Sequence, residues 1–257
     1  MSVPVPPRIF SQQRRHAVQR RMRSVQQRGG APAYILDDMI DDAIERLGFL
    51  RHEPQTALVI GDEFGRLADP VRKSGTEVTV REPDVVNLER PIEGGPFDLV
   101  AVFGLLDTIN DLPGALLHIR YALAPGGLAL ASFVGAGSLA RLRQIMLAAD
   151  GERPAARMHP QVDVRSGAAL MQRAGFDDPV VDSHGLAVRF SSLRGLVADL
   201  RAMGLSSVLE DRPAPLSKAA LARAEAAFAG AADADGKLAE RFEIVTLSGW
   251  NRGRGLG

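Results

Sequence analysis

From residue 56 onward, short continuous apolar runs alternate with segments whose apolar residues recur at helical spacing. Such runs are typical of parallel strands that are buried on both faces, and their alternation with helices predicts a doubly wound α/β sheet. The predicted strands cover residues 56–60, 77–80, 98–103 and 127–133, a strand pair around 179–190, and residues 242–247. The predicted helices cover residues 112–123 and stretches near 137–149, 166–174, 192–203 and 216–230.

Two helices are predicted before the sheet. We therefore divide the chain into an N-terminal helical extension, residues 1–50, and an α/β domain, residues 51–257. A first helix is predicted over residues 8–28, where Val18, Met22 and Val25 lie at helical spacing, and a second, amphipathic helix covers residues 34–50. The polar face of the second helix carries the acids Asp37, Asp38, Asp41, Asp42 and Glu45. This face is typical of a solvated helix surface; alternatively, it pairs with the arginines of the first helix.

Arginine is concentrated at the start of the chain. Residues 1–36 hold seven Arg and no acid, whereas the whole chain has a formal net charge of zero, so the remaining residues carry a net charge of −7. A basic segment of this kind is either a solvated helix or a surface for an acidic partner. We expect a protein partner, acidic or membrane-associated, rather than specific binding to nucleic acid.

The composition excludes several kinds of site. The chain has no Cys, so disulfides, thiolate metal ligands and cysteine nucleophiles are excluded, and its five His are too scattered to predict a metal site. No apolar run approaches the roughly 20 residues of a membrane-spanning helix. The chain also lacks a nucleophile-elbow or phosphate-loop motif. Without a signal-peptide pattern, we expect a cytoplasmic location, at most peripheral to a membrane.

The turn after the first predicted strand is the first place to look for a ligand. In open parallel sheets, ligands bind beyond the carboxyl ends of the strands, and glycines there let the backbone approach them closely. Gly61 and Gly65 lie in this turn. Two glycines at this spacing are also compatible with an ordinary strand-to-helix turn.

Together with its surroundings, this stretch resembles class I S-adenosylmethionine-dependent methyltransferases. Within that superfamily it is most similar to the branch of methyltransferase-like respiratory complex I assembly factors and their bacterial relatives. The similarity is carried by residues 97–100, 110–116, 125–127, 173–176, 188–190, 199–204 and 242–250. The resemblance implies a Rossmann-like sheet and S-adenosylmethionine as cofactor. The cofactor contacts it implies are Gly61, Asp62, Glu63, Gly65, Glu82 and Phe103.

Three features depart from the pattern of that superfamily. Val59 stands where an acid usually precedes the glycine turn, and Glu63 replaces the middle glycine. The link from the second to the third predicted strand, residues 82–97, is too short for a further helix and strand, since a strand-helix-strand unit takes about 30 residues. We therefore expect the outer edge strand to be missing. Glu82 remains where an acid would bind the ribose hydroxyls, although it could equally be an exposed strand end.

A few other polar residues are candidates for the site. Asp107, Asn110 and Asp111 lie where the resemblance implies contact with substrate, although Asp111 also suits a helix N-cap before Pro113. His159 lies in a polar loop that could cover the site. Trp250 is expected to close the core behind the last strand.

Three functions remain open. One is an S-adenosylmethionine-dependent enzyme that modifies a protein, such as an arginine of a respiratory-complex subunit, by methylation or a related reaction. Another is a non-catalytic assembly factor that keeps the fold and no longer binds the cofactor. A small-molecule or carrier-protein methyltransferase is the third. No catalytic residue is assigned, since methyl transfer from an activated sulfonium depends largely on alignment.

Overall fold

A computed structural model describes residues 8–253 of the chain. Helix α1 (Gln12–Gln26) and helix α2 (Tyr34–Leu50) come first. Two glycines with positive φ, Gly29 at 79° and Gly30 at 75°, lie between them. The two helices predicted before the sheet are therefore present, and the first is a few residues shorter than residues 8–28.

The described residues form one six-stranded sheet. Its strands are β1 (Thr56–Ile60), β2 (Glu77–Arg81), β3 (Phe97–Phe103), β4 (Leu123–Val134), β5 (Asp177–Phe190) and β6 (Leu238–Asn251). Their order is β2-β1-β3-β4-β6-β5, and β6 runs antiparallel to both of its neighbours. This mostly parallel arrangement confirms the predicted Rossmann-like α/β class.

The remaining helices connect the strands. They are α3 (Ala68–Lys73), α4 (Leu112–Tyr121), α5 (Ala140–Asp150), α6 (Val164–Arg173), α7 (Leu193–Ala202) and α8 (Lys218–Ala231), and a short 3₁₀ turn covers Leu106–Thr108. Four of them begin at a residue whose side chain accepts a backbone N–H bond three residues later, which satisfies a group that the helix leaves unpaired. These N-caps are Asp111, Asp163, Ser192 and Ser217. Asp111 is thus the N-cap that its sequence context favoured.

Both faces are buried at the centre of the sheet. Along β3, Leu99, Ala101 and Phe103 pack on the face covered by α2, α5, α7 and α8, whereas Val100 and Val102 pack on the face covered by α4 and α6. The alternation follows from the two-residue period of a strand. Trp250 is half-buried, packs on the first of these clusters and contacts the ring of His52 edge-on, as expected for a residue that closes the core.

The β2 edge of the sheet is short and open. Residues 82–96, between β2 and β3, contain turns but no helix or strand. No further strand covers β2 among the described residues, so the expected loss of the outer strand is confirmed. The core tolerates this loss because only an edge is affected, and β2 itself is mostly exposed.

Two expectations are corrected. The strand pair around 179–190 is one continuous strand, β5, which pairs with β6 along its length. The acids of α2 do not receive the arginines of α1: Asp37 and Asp41 pair with Arg66, Asp42 pairs with Arg46, and Asp38 bonds to His184. Partners come from α2 itself, the turn before α3 and β5, because those elements lie beside this helix face.

The described residues contain neither a membrane-spanning helix nor a metal-binding cluster. No helix among them is both long and apolar enough to span a membrane. No group of three or more acidic or His side chains within residues 8–253 is arranged to hold a metal ion.

Candidate functional site

The carboxyl ends of β1, β2 and β3 meet at one edge of the sheet. In the register, Ile60 at the end of β1 lies beside Arg81 of β2 and Val102 of β3. The residues that follow, among them Gly61, Glu82 and Gly104, are therefore neighbours in space although they lie far apart in sequence. A cavity of about 680 Å³ opens at this edge, within the usual range for ligand sites.

Gly61 is needed where the chain leaves β1. Its φ is +89°, and a Cβ at this position would lie 2.4 Å from the carbonyl oxygen of Phe103. Any larger residue would have to push the ends of β1 and β3 apart. Gly61, Glu63 and Phe103 all line the cavity, so three of the six predicted cofactor contacts are brought together.

Asp62 and Gly65 shape the turn instead of lining the cavity. The buried Asp62 carboxylate accepts hydrogen bonds from the backbone N–H groups of Arg66, Leu67 and Ala68, at 2.9, 3.0 and 2.8 Å. Gly65 has a φ of +70°. Together they fix the path from β1 into α3, and contact with a cofactor stays a prediction for both.

Glu82 directly follows β2, as predicted, but its carboxylate contacts Arg23 of α1. The same guanidinium donates from Nε to Glu63 Oε1 at 2.9 Å and from Nη2 to Asp84 Oδ1 at 2.9 Å. We call Glu63, Glu82 and Asp84 the acid cluster. One cation therefore faces three carboxylates beside the cavity, and of these residues Glu63 lines the cavity whereas Arg23, Glu82 and Asp84 do not.

Charge and burial shift the pKa values in this contact. Burial alone would lower the pKa of Arg23, but the three carboxylates outweigh it and raise that pKa. The pKa of Glu63 is raised because the side chain is buried, and the attraction of Arg23 only partly opposes this. Arg23 therefore stays charged in this contact.

The roof of the cavity is α1, which sequence reasoning did not place there. Arg14, Arg15, Val18, Met22 and other α1 residues line it. The uneven charge along the chain was the available signal, because a basic segment tends to meet the acids of the remainder. The sequence analysis offered the acids of α2 as partners because they form a regular pattern, whereas Arg23 contacts Glu63, Glu82 and Asp84.

Asp107 lines the cavity after β3. Its side chain is buried among other protein atoms, and this burial raises its pKa to about 6. Arg15 donates from Nη1 to the carbonyl oxygen of Thr108 at 3.0 Å, and its charge partly opposes the shift of Asp107. Within residues 8–253, four buried side-chain atoms have no hydrogen-bond partner: Arg15 Nε, His16 Nε2, Glu63 Oε2 and Asp107 Oδ1. Three of them belong to residues of the cavity wall, so polar groups there remain available to a ligand.

Two further candidates accept hydrogen bonds from the backbone, Asn110 from the N-terminal segment and His159 from Val208. Asn110 Oδ1 accepts from the backbone N–H groups of Ile9 and Phe10, both at 2.8 Å. His159 lines the cavity and covers it, as suggested, but its Nε2 accepts from the N–H of Val208 at 2.8 Å. Burial lowers the pKa of His159 to about 4, so this ring is neutral. Neither Asn110 nor the N-cap Asp111 lines the cavity.

The chain matches known proteins along this part of the fold. The family model described as "Methyltransferase domain" matches residues 33–180. The mouse protein "Arginine-hydroxylase NDUFAF5, mitochondrial" is 29% identical over 190 residues, which are 72% of this chain and 55% of that protein. The malonyl-[acyl-carrier protein] O-methyltransferase of Xylella fastidiosa is 32% identical over 161 residues, 62% of this chain and 54% of that protein.

The fold has a counterpart among solved structures. The 1,6-didemethyltoxoflavin-N1-methyltransferase of Burkholderia thailandensis, with bound 1,6-didemethyltoxoflavin and S-adenosylhomocysteine, superposes with a TM-score of 0.51. It shares 14% sequence identity, and the match covers 96% of this chain and 93% of that one. The similarity shows the fold. The chain spans about half the length of the curated relatives it matches.

Proposed function

The chain belongs to the class I S-adenosylmethionine-dependent methyltransferase superfamily, on a family match that covers more than half of it, and we propose that its cavity binds S-adenosylmethionine for methyl transfer to a protein. The observation that carries the proposal is the cavity itself. It lies where parallel sheets bind ligands, and Gly61 lets the backbone approach closely.

The residues of the cavity fit this cofactor in charge. S-adenosylmethionine carries a sulfonium and an ammonium, and such cations would be attracted to Glu63 and Asp107, two acids of the cavity wall that each have a carboxylate oxygen without a hydrogen-bond partner. Glu82 follows β2 at the place expected to meet ribose hydroxyls. Val59, in place of the usual acid, is fully buried in the core and does not line the cavity.

The cofactor supplies a methyl group already activated on sulfur. The protein then has to bind, orient and keep water away from the reacting atoms. The apolar part of the wall, which includes Met39, Val134, Leu139 and Leu142, suits the last of these tasks. No side chain of the described residues needs to act as a nucleophile, and none is assigned that role.

Titration calorimetry tests the binding. We expect S-adenosylmethionine and S-adenosylhomocysteine to bind in the micromolar range. Absence of heat at millimolar ligand, with folded protein, would reject the proposal. Transfer of labelled methyl from S-adenosylmethionine to purified candidate proteins then tests the reaction.

A second function, a non-catalytic assembly factor, is favoured by one observation. Arg23 contacts Glu82 and Glu63, two predicted cofactor contacts, and so occupies groups that a nucleoside would need. The calorimetry separates the two functions, since an assembly factor that has lost its cofactor would give no heat.

The partner we propose is an acidic protein surface in the cytoplasm. Arg8, Arg20, Arg21 and Arg28 are exposed, whereas Arg15 and Arg23 face inward. Exposed charge attraction is screened over about 10 Å at 0.1 M salt, so binding to polyglutamate should weaken steeply as salt rises. Replacing these four arginines with Gln should abolish it. Unchanged binding of that variant would contradict this role.

A further inference from the structure

Helix α1 is a fixed roof over the cavity, because it is anchored along its length. The N–H of Ser11 donates to the carbonyl oxygen of Val208 at 2.8 Å. At the other end, Gln26 Nε2 donates to the carbonyl oxygen of Ala202 at 3.0 Å, and Met22 is buried between. Moving the helix would break all of these contacts.

The side chain of Arg23 can change its conformation while helix α1 stays in place. Its side chain is 22% exposed, in contrast to the buried Arg15 on the same helix. In the acid cluster, Glu82 is 49% exposed, whereas Glu63 and Asp84 are 4% and 8% exposed. A long, partly solvated side chain can leave the exposed Glu82 by a change of rotamer while the backbone beneath it stays in place.

Arg23 and a nucleoside need the same oxygens. A carboxylate that holds a guanidinium through charge-assisted hydrogen bonds is not free to accept from ribose hydroxyls. A ligand that uses Glu82 has to displace Arg23, and Glu63 and Asp84 are left to hold the displaced cation nearby.

We propose that Arg23 is a built-in competitor of the cavity's ligand, which sets its affinity by occupying the acid cluster until the ligand displaces it. The inference rests on the proposed function, since it takes a ribonucleoside as the ligand. It adds a residue of α1, outside the sheet, as the determinant of affinity.

The first arm of the test asks whether the contact exists in solution. A double-mutant cycle combines Arg23→Gln with Glu82→Gln and follows the urea midpoint of unfolding. Gln keeps helix propensity at position 23. We expect the two shifts to be non-additive. Additive shifts would overturn the proposal whatever the ligand does.

The second arm measures the affinity for S-adenosylhomocysteine by calorimetry. We expect Arg23→Gln to bind about tenfold more tightly than the unchanged chain, because the ion pair of Arg23 with the exposed Glu82 no longer opposes the ligand. The matched control is Arg20→Gln, an exposed arginine one turn away on α1, which should leave the affinity unchanged.

Salt gives a signature that a purely structural role would not produce. S-adenosylhomocysteine carries no net charge near neutral pH, so screening acts mainly on the contact of Arg23 with the acids. Added salt should therefore tighten binding to the unchanged chain and have little effect on Arg23→Gln.

The outcomes distinguish the two proposals. If the unchanged chain binds the nucleoside and Arg23→Gln binds equally or more weakly, Arg23 is no competitor and the inference is overturned while the proposed function stands. If Arg23→Gln binds and the unchanged chain does not, the inference is supported in its strongest form. If neither binds, the proposed function fails and the competition falls with it.

Discussion

The two sides of the sheet are built differently. On one side, β4, β6 and β5 are strands of 12, 14 and 14 residues. On the other, β2 has five residues, is mostly exposed and ends the sheet. The long-strand side carries much of the core, whereas the β2 side carries the glycine turn and the acid cluster. The polar groups predicted to meet a ligand therefore lie on the less buried side of the sheet, whereas the apolar part of the cavity wall comes from the long-strand side.

The largest expected effect is on the long-strand side. Phe242 of β6 is fully buried, so Phe242→Ala should lower the free energy of unfolding by about 3–5 kcal/mol through the cavity it leaves. Val80 of β2 is 40% exposed, and Val80→Ala should cost less than about 1 kcal/mol. Urea unfolding measures both. Similar losses for the two variants would contradict the contrast between the sides.

The pH dependence of stability should differ between His159 and Asp107. The folded pKa of His159 is about 4, below its unfolded value of about 6.5, so the unfolded state binds more protons between these values. Its contribution is complete above pH 6.5 and falls by about 3 kcal/mol as the pH drops to 4.

Asp107 acts in the opposite direction. Its folded pKa is about 6, above the unfolded value of about 3.9, so the folded state gains protons, and stability, as the pH falls through 6. Urea midpoints at pH 7.5 and 4.5 should therefore show a smaller loss for His159→Gln and a larger loss for Asp107→Asn than for the unchanged chain. The reverse order would show that these groups are not buried as described.

Gly61→Ala should affect two quantities at once, the free energy of unfolding and the affinity for a nucleoside, because Gly61 lies in the glycine turn. The new Cβ meets the carbonyl oxygen of Phe103, so we expect a loss of about 2 kcal/mol together with weaker nucleoside binding. Gly126 has a similar φ, +85°, but nothing lies within 4 Å of a Cβ there. Gly126→Ala therefore costs about 1 kcal/mol for the backbone alone. Equal losses would mean that the close approach to β3 is not tight.

The smallest effect on stability is expected at Glu82. Since the side chain is half exposed, Glu82→Gln should change the free energy of unfolding by less than about 1 kcal/mol. The affinity for S-adenosylhomocysteine should fall about tenfold, because a charged acceptor for hydroxyls is lost. Glu77→Gln, an exposed residue at the other end of β2, is the control and should change neither. An unaltered affinity for Glu82→Gln would remove Glu82 from the ligand site.

Most of the fold was predictable because each strand at the centre of the sheet is a continuous apolar run. The bounds of β1 were predicted without error for this reason. The prediction for β5 was wrong because polar residues interrupt its pattern. They are satisfied by distant partners: Asp182 by Arg46 and Ser183 by Glu243. Gly185, in the middle of β5, leaves room for the guanidinium of Arg241 across the strand.

The site was predictable only where it lies in one local motif or at a strand end. Gly61, Glu63 and Phe103 were named from the strand pattern and the resemblance, and all three line the cavity. Arg23 was not predicted to be part of the site, because its acidic partners lie 40 to 61 positions away in the sequence and leave no periodic signal. Placing α1 over the sheet required the tertiary packing of Met22 and Gln26, which local sequence does not encode.

The position of β6 has a consequence for how the chain acquires its structure during synthesis. This strand lies between β4 and β5, although it comes last among the described elements. Until residues 238–251 have emerged from the ribosome, β4 and β5 of the nascent chain have no shared neighbour and each presents an unpaired edge. The half of the sheet made of β4, β6 and β5 therefore cannot be completed before residues 238–251 are available.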